Sequence, residues 1–329
     1  MMSLASLPIW LLRWKPMIED VLKRFAEKFD KDIEREMNAL RGGTLVNAMR
    51  YSVLGGGKRL RPFMVLLAAE MGGLTYDDVF PLMFGIELVH SYSLVHDDLP
   101  CMDDDDYRRG RKSTHAVYGE AMGVLAGDAL LNYAYEYMLA NAVKAKNVGG
   151  YITAISCIMV RAGYMGMLGG QSYDIDEGIK KNFKRDDFIN MYSGKTGALF
   201  QAALGAGAFA AGLSEQDILS LLKCGNYLGI AFQLKDDLDD LTQDQKGVDQ
   251  KEKKPCLTMM STFTEQSARE YIELNRDVAI DAVSEIKGSE NIVSFIKALL
   301  SFPSTEQKKG AKDTEEKTET EQGEQDPKQ

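Results

Sequence analysis

The stretch FGIELVHSYSLVHDDLPCMDDDDYRRG, residues 84–110, joins an apolar run to six aspartates within ten positions and then to two arginines. A carboxylate that is buried without a partner destabilises the folded state, so an acidic cluster directly behind an apolar run needs an explanation. Acidic runs are usually solvated surface. The cluster is therefore either exposed to solvent or built to bind a cation.

The sequence on both sides of this stretch is typical of successive helices. IEDVLKRFAEKFDKDIEREMNAL, residues 18–40, places apolar residues at helical spacing. RPFMVLLAAEMGG, residues 61–73, begins with Arg-Pro and ends with glycine, as helices often do. The sequence contains no series of short alternating segments joined by Asn-Gly or Asp-Gly turns. These patterns predict an all-α, single-domain fold with several helices around a central bundle.

Composition restricts the class of protein. The chain has 329 residues, 45% of them hydrophobic, which is enough for a substantial core. Its formal net charge is −10, and a nucleic-acid-binding protein would instead show a basic surface, so no nucleic-acid partner is expected. The four cysteines are widely separated without a CxxC pair, which predicts reduced thiols and a cytoplasmic protein. No apolar run approaches the length of a transmembrane helix, so no membrane span is expected.

The two ends of the chain differ from its middle. We predict one domain over residues 1–303, with residues 1–17 as a loosely ordered leader. The basic residues of this leader follow its apolar stretch, whereas a signal peptide carries them in front. Residues 304–329 contain one alanine as their only hydrophobic residue, so we predict a disordered acidic tail.

A second acidic cluster occurs in FQLKDDLDDLTQD, residues 232–244. Asp236 and Asp240 are four residues apart and share a helix face, with Asp237 about 100° round the helix. Mg²⁺ takes oxygen ligands, of which one or two are carboxylates and the rest waters or phosphate oxygens. Two acidic clusters behind apolar helices therefore predict opposed sites for Mg²⁺ ions around a diphosphate.

The first cluster is interrupted by Pro100. Proline disfavours a helical conformation of the preceding residue, so the helix should end near Asp98. Asp103 comes six residues after Asp97, and a kink at residues 99–102 is needed to bring it to the same face. Both clusters would then lie at helix C-termini, where the helix dipole favours cations. The spacing does not match a calcium-binding EF-hand loop.

Basic residues suited to an anion occur elsewhere. LGGGKRLRPFM, residues 54–64, combines glycines that let backbone N–H groups approach an anion with Lys58 and Arg61 at a helix start. In SGKTGALF, residues 193–200, a lysine and a threonine lie between glycines, a pattern equally common at a helix start. His90 lies two helical turns before Asp97, and this shared face predicts ligand contact.

Five stretches in order, GGGKRLRP, HSYSLVHDDLPCMDDDDYRRG, GGQSYDID, GKTGALF and FQLKDDLDD, resemble the motifs of trans-isoprenyl diphosphate synthases. This polyprenyl synthetase family includes the bacterial farnesyl diphosphate synthases, which the chain resembles most. The resemblance covers residues 40–260 and implies a deep central cavity in an isoprenoid synthase fold. It also implies a homodimer, and Mg²⁺ as cofactor with three ions bound beside the substrate.

The resemblance implies a role for each motif. The expected Mg²⁺ ligands are Asp97, Asp98, Asp103, Asp236, Asp237 and Asp240. The expected contacts of the allylic diphosphate are Arg108, Lys195, Thr196 and Gln233, and those of isopentenyl diphosphate are Lys58, Arg61, His90 and Arg109. Gln171 and Asp174 match a GQxxD motif and would support the site. An alternative for Arg108 and Arg109 is a salt-bridge patch with the preceding aspartates.

The implied reaction joins isopentenyl diphosphate head to tail with dimethylallyl or geranyl diphosphate. Asp97, Asp98, Asp103, Asp236 and Lys195 would carry the catalysis, because metal ions and cations stabilise a departing diphosphate. Tyr92, five residues before Asp97, and its neighbour Ser93 would lie beneath the growing chain. These two residues predict mainly farnesyl diphosphate. The alternative for Tyr92 is an ordinary core aromatic residue.

The sequence departs from the resembled enzymes after Asp240. The stretch LTQDQKGVDQKEKKPCLTMM, residues 241–260, is shorter than their loop, and either Lys253 or Lys254 would replace a lysine near the diphosphate. Alternative functions are a geranylgeranyl diphosphate synthase, a non-catalytic subunit of a heteromeric prenyl synthase and a class I terpene cyclase. A cyclase would lack the GGGKRLRP motif.

Overall fold

A computed structural model of the chain describes residues 9–244 and 258–302. These residues are helical almost throughout, which confirms the predicted all-α fold. The α-helices are α1 (Ile9–Ala39), α2 (Thr44–Val53), α3 (Leu60–Glu70), α4 (Tyr76–Asp97), α5 (Thr114–Tyr118), α6 (Glu120–Ala142), α7 (Val148–Ala162), α8 (Met167–Ile175), α9 (Glu177–Lys180), α10 (Arg185–Tyr192), α11 (Ala198–Ala211), α12 (Glu215–Asp244), α13 (Glu265–Val283) and α14 (Glu290–Leu299). A π-helix (Ser193–Gly197) joins α10 to α11, and a 3₁₀ helix (Met259–Thr262) precedes α13.

Several parts of the sequence discussed above lie outside the described residues. They are residues 1–8 of the predicted leader, the predicted tail at 304–329, and both Lys253 and Lys254. The rest of the leader, residues 9–17, has helical backbone and forms the start of α1. The predicted limits of the domain remain a prediction.

Helices α4 and α11 form the centre of the bundle. Helix α11 packs against α3, α7 and α12, while α4 packs against α3 and α6. Most residues of α4 and α11 are buried. Helix α4 begins at a capping box, in which the Thr75 backbone N–H donates to the Asp78 carboxylate at 2.8 Å. It ends at Asp97, as Pro100 predicts.

A short hairpin follows the first acidic cluster. Strand β1 (Tyr107–Arg108) pairs antiparallel with β2 (Arg111–Lys112). The two turn residues, Arg109 and Gly110, have φ values of 53° and 75°. Positive φ at both positions is the geometry of a type I′ turn, which suits tight hairpins. The sequence analysis did not predict this hairpin, because Arg-Gly is a weaker turn signal than Asn-Gly.

Glycines let the elements of the second half of the chain approach closely. A Cβ atom added to Gly229 of α12 would lie 2.5 Å from the Cα atom of Gly197 in the π-helix. No real Cβ tolerates that separation, so this pair permits backbone contact that a larger residue would prevent. Helix α12 is thereby held against the segment that carries Lys195 and Thr196.

One segment of the described residues, Val148–Ile175, is long and apolar enough to cross a membrane by length and composition. The segment has 28 residues, and an 18-residue window within it has a mean hydropathy of 1.4 and is 39% buried. The expectation that no run approaches this length was therefore wrong. Core helices of soluble proteins meet the same criteria, and here the segment comprises α7, a bend and α8.

Candidate active site

A cavity of about 870 Å³ lies between α3 and α4 on one side and α8, the π-helix and α12 on the other. This confirms the predicted central cavity. Most of the predicted site residues line it: Lys58, Arg61, His90, Tyr92, Ser93, Asp97, Asp103, Arg108, Arg109, Gln171, Lys195, Thr196, Gln233 and Asp236. The cavity lining does not include Asp98, Asp174, Asp237 or Asp240.

The chain after α4 folds back over the end of the helix. The Asp103 backbone N–H donates to the Asp97 carbonyl at 2.9 Å, and the Asp105 N–H donates to the Asp98 carbonyl at 3.2 Å. The predicted kink therefore exists and brings Asp103 beside Asp97. Burial raises the pKa of Asp97 to about 6, and the neighbouring Asp103 adds to the rise. A cation bound here would relieve this cost.

Asp98 already has a cationic partner. It is buried, and its Oδ1 accepts a hydrogen bond from Arg108 Nε at 2.5 Å. This contact matches the salt-bridge alternative for Arg108, although Arg108 also lines the cavity. The role of Asp98 as a metal ligand remains a prediction.

The second acidic motif lies along α12. Asp236 lines the cavity, and burial raises its pKa to about 6 even though Lys58 and Lys235 lower it. Asp240 is exposed. Because α12 continues to Asp244, Asp236 is more than two turns from the helix end. The expectation that this cluster lies at a helix C-terminus was wrong for Asp236, since the dipole acts mainly within the last turn.

Lys195 lies in the π-helix, a rare element that is frequent at functional sites. Its ammonium group forms an ion pair with Asp174, which also pairs with Lys180 at 2.6 Å. The charges of Asp97 and Asp103 also raise the pKa of Lys195, although its burial opposes them. Lys195 thus remains a cation close to the first acidic motif.

Two glutamines face the cavity. The Thr196 hydroxyl donates to Gln233 Oε1 at 2.7 Å, and Gln233 Nε2 donates to Asp237 Oδ1 at 3.0 Å. These contacts fix the orientation of the Gln233 amide. Gln171 is buried, and its Oε1 has no hydrogen-bond partner among the described residues. An unpaired acceptor in a cavity suits a ligand that carries a donor.

A second part of the cavity is cationic. Arg61 Nη1 lies 3.3 Å from His90 Nε2. Burial lowers the pKa of His90 well below its usual range, and nearby arginines including Arg61 and Arg109 lower it further. The imidazole is therefore neutral and can accept a hydrogen bond from Arg61. Lys58 is exposed at this end, and Arg109 donates to the Gly56 carbonyl.

The arrangement of the acidic side chains around the cavity bears on whether they could bind Mg²⁺. Among the described residues, no three acidic, histidine or cysteine side chains are close enough to form an all-protein metal site. Mg²⁺ does not require one, because it keeps waters or phosphate oxygens beside one or two carboxylates. Asp97 and Asp236 are half-buried acids with raised pKa values, which suits a bound cation. The residues present therefore fit Mg²⁺ held together with a diphosphate.

Comparison with known proteins agrees with this geometry. The polyprenyl synthetase family profile matches residues 43–290. The chain belongs to the polyprenyl synthetase family. Members of this family transfer prenyl groups between small-molecule diphosphates, and the chain is accordingly a prenyltransferase of isoprenoid biosynthesis.

Similar proteins include the geranylgeranyl diphosphate synthase of Cyanophora paradoxa, 34% identical over 260 residues, with 78% of this chain and 82% of that protein covered. The farnesyl diphosphate synthase of Bacillus subtilis (strain 168) is 32% identical over 274 residues, with 83% and 89% covered. The solved structure of a geranyltransferase from Legionella pneumophila has a TM-score of 0.77 at 28% identity, over 87% of this chain and 97% of that one. This likeness confirms the predicted isoprenoid synthase fold. The relatives differ in product, so product length must be argued from the cavity itself.

Two charged residues of this polyprenyl synthetase site were given no role from the sequence, although Arg59 was among the basic residues of the glycine-rich stretch at 54–64. Glu87 and Arg59 are each 3% exposed and form a buried ion pair beneath the cationic end. Arg59 Nε also donates to Asp30 of α1 at 2.8 Å. The negative charge of Glu87 also stabilises the protonated forms of Arg61 and Arg109. The available signal was that Glu87 is the only Asp, Glu, Lys or Arg between Val79 and Val95 of α4.

Tyr92 closes one part of the cavity. It is 3% exposed, and its hydroxyl has no hydrogen-bond partner among the described residues. Its ring meets His96 edge-on with the ring centroids 5.9 Å apart. The neighbouring Ser93 hydroxyl donates to the His90 carbonyl at 2.9 Å and so points back along α4. Of the two residues predicted to limit the product length, Tyr92 is therefore the one with a bulky side chain in the cavity wall.

We expect Glu87→Gln to lower the free energy of unfolding by roughly 3 kcal/mol, because it removes one partner of a buried ion pair. Urea titration measures this change. The matched control is Asp30→Asn, which removes the other carboxylate on Arg59. The Asp30 side chain is 46% exposed, so its loss should cost about 1 kcal/mol or less. Equal losses for both variants would contradict the assignment of Glu87 as the main partner.

Proposed function

We propose that this polyprenyl synthetase is a Mg²⁺-dependent farnesyl diphosphate synthase. It condenses isopentenyl diphosphate with dimethylallyl and then geranyl diphosphate. The observation that carries this proposal is the cavity itself, with acidic groups from α4 and α12 at one part and Arg61, His90 and Arg109 at another. Such a cavity could bind two diphosphates, one through metal ions at the acidic groups and the other directly through the cationic side chains.

The acidic part suits the allylic diphosphate. Bound Mg²⁺ would supply charge neutralisation of the departing diphosphate, with Asp97, Asp103 and Asp236 as the residues that hold it. Lys195 lies beside Asp97 and Asp103 and adds a fixed positive charge. The neighbouring Thr196 and Gln233 are held by their mutual hydrogen bond and add polar oxygens to the cavity lining.

The cationic part suits isopentenyl diphosphate. Lys58, Arg61 and Arg109 supply donors, and neutral His90 helps to fix Arg61. The allylic C–O bond breaks, a C–C bond forms to the double bond of isopentenyl diphosphate, and a proton leaves to the released diphosphate. The apolar lining, including Leu99 and Leu199, excludes water from the allylic cation.

This assignment predicts elongation that depends on both Mg²⁺ and Asp236. Purified protein given Mg²⁺, isopentenyl diphosphate and dimethylallyl diphosphate should form mainly the C15 product, and chelation by EDTA should stop the reaction. Asp236→Asn should lower kcat by about 100-fold or more, because it removes a residue that would hold the Mg²⁺ needed to stabilise the departing diphosphate.

The matched control is Asp104→Asn, in an exposed residue of the first cluster with φ 58°. Asparagine tolerates this backbone conformation, so the control should retain activity. Absence of elongation with any allylic starter would instead favour a non-catalytic subunit of a heteromeric synthase. Elongation restored only by a second polypeptide would identify that function.

Tyr92 supports farnesyl diphosphate as the main product, because its buried ring occupies space that a longer chain would need. The alternative is a geranylgeranyl diphosphate synthase. Tyr92→Ala should therefore shift the product from C15 to C20 or longer, as sized by chromatography of the dephosphorylated alcohols. Tyr151→Ala is the control, since Tyr151 is also buried, its hydroxyl has no partner within residues 9–244 and 258–302, and it does not line the cavity. A Tyr92→Ala enzyme that still stopped at C15 would exclude Tyr92 as the limit.

A homodimer is also part of the proposal. Exposed large apolar side chains concentrate on α6, α7 and the bend before α8, and they include Leu125, Leu139, Met159, Val160 and Tyr164. The other faces of α6 and α7 pack on α4 and α11. An exposed apolar face of this kind marks a protein interface. The separated free cysteines support a cytoplasmic location.

We expect Val160→Lys to shift the protein from dimer to monomer, because it places a charge in the apolar interface. Light scattering after size exclusion measures the mass. The control is Leu274→Lys on α13, which is 57% exposed against 58% for Val160 and lies outside this face. An unmodified protein that is monomeric at micromolar concentration would exclude the dimer.

A further inference from the structure

We propose that Tyr192 is a positioning residue that orients Asp237 for metal binding and joins it to the start of the 3₁₀ helix. This inference rests on the proposed function and adds Asp237, a Mg²⁺ ligand predicted from the sequence that does not line the cavity, to the residues that would hold the ion. Nothing in the sequence motifs marks Tyr192, which lies three residues before Lys195 at the end of α10.

The Tyr192 hydroxyl makes two buried contacts. The side chain is 3% exposed, and its hydroxyl donates to Asp237 Oδ2. The same oxygen accepts a hydrogen bond from the backbone N–H of Met259 at 2.9 Å. Met259 is fully buried, so this N–H has no access to water. The Tyr192 hydroxyl thus donates a hydrogen bond to Asp237 of the second acidic motif and accepts one from Met259 at the start of the 3₁₀ helix.

The other carboxylate oxygen of Asp237, Oδ1, also accepts a hydrogen bond. Gln233 Nε2 donates to Asp237 Oδ1 at 3.0 Å, and Thr196 donates to Gln233 in turn. An ionised carboxylate has about four acceptor positions, so both oxygens keep capacity for a metal ion or its waters. The two contacts fix the rotation of the carboxylate without occupying it fully.

One segment contacts Asp237 Oδ2 directly through Tyr192 and is linked to Asp237 Oδ1 by Thr196 through Gln233. Tyr192 immediately precedes the π-helix, and Thr196 lies within it, four residues later. Both side chains reach α12, while Lys195 between them pairs with Asp174. The segment that supplies the diphosphate-binding cation therefore also sets the orientation of a predicted metal ligand.

Loss of the hydroxyl should weaken metal binding more than it weakens the fold. In Tyr192→Phe the ring still packs, but Asp237 loses one donor and can rotate. Groups that hydrogen-bond to metal ligands typically change metal affinity by 10–100-fold. The isopentenyl end of the cavity is formed by other elements, so the KM for isopentenyl diphosphate should stay unchanged.

The test is a Mg²⁺ titration in the presence of inorganic pyrophosphate, followed by the rise in Tm of the full chain. We expect the midpoint of Tyr192→Phe to move to roughly tenfold higher Mg²⁺. The control is Tyr151→Phe, which removes a buried hydroxyl that has no partner among the described residues. Its midpoint should equal that of the unmodified protein.

A second variant keeps the test informative if Tyr192→Phe does not fold. Asp237→Asn keeps the size of the side chain and an acceptor for the Tyr192 hydroxyl, but it loses the negative charge that would bind the metal ion. We expect its Mg²⁺ midpoint to rise by about tenfold or more, and a folded variant with an unchanged midpoint would overturn the inference.

The remaining outcomes separate this inference from the proposed function. A Tm lowered equally at every Mg²⁺ concentration, with an unchanged midpoint, would show a merely structural hydroxyl and overturn the inference alone. An unmodified protein without Mg²⁺-dependent turnover would overturn the proposed function and the inference with it.

Discussion

Buried charge that the protein neutralises only in part is the constraint on which the cavity depends. At the cationic end, the buried Glu87 balances Arg59 and faces further arginines whose charge remains in excess. At the acidic end, burial raises the pKa of Asp97 and Asp236 to about 6 despite nearby lysines. Each end is therefore best completed by a ligand of opposite charge, an anion at one and a cation at the other.

The elements around the cavity bring charged side chains from separate parts of the chain close together. The π-helix between α10 and α11 carries Lys195, and the contact between Gly197 and Gly229 brings it against α12. The chain after α4 folds back so that Asp103 lies beside Asp97. Three separate segments thus meet at one acidic site, which agrees with membership of the polyprenyl synthetase family.

Local rules predicted the parts of the site that depend on neighbouring residues. Pro100 predicted the end of α4, and helical spacing placed His90 on the face of Asp97. Local rules could not find Arg59 and Glu87 as a pair, because they lie 28 residues apart, Arg59 directly before α3 and Glu87 within α4. The type I′ turn at Arg109 was missed for a related reason, since its sequence carries a weak turn signal.

The sequence by itself determined the all-α fold, the acidic and basic motifs and the family, because periodicity and motif order are local properties of the chain. Only the tertiary structure decided which charges meet. It paired Asp98 with Arg108, placed Lys195 against Asp174 and brought Tyr192 to Asp237 and to Met259. Hydrogen bonds and ion pairs need atoms within a few ångströms of one another, and that proximity arises only when the helices pack.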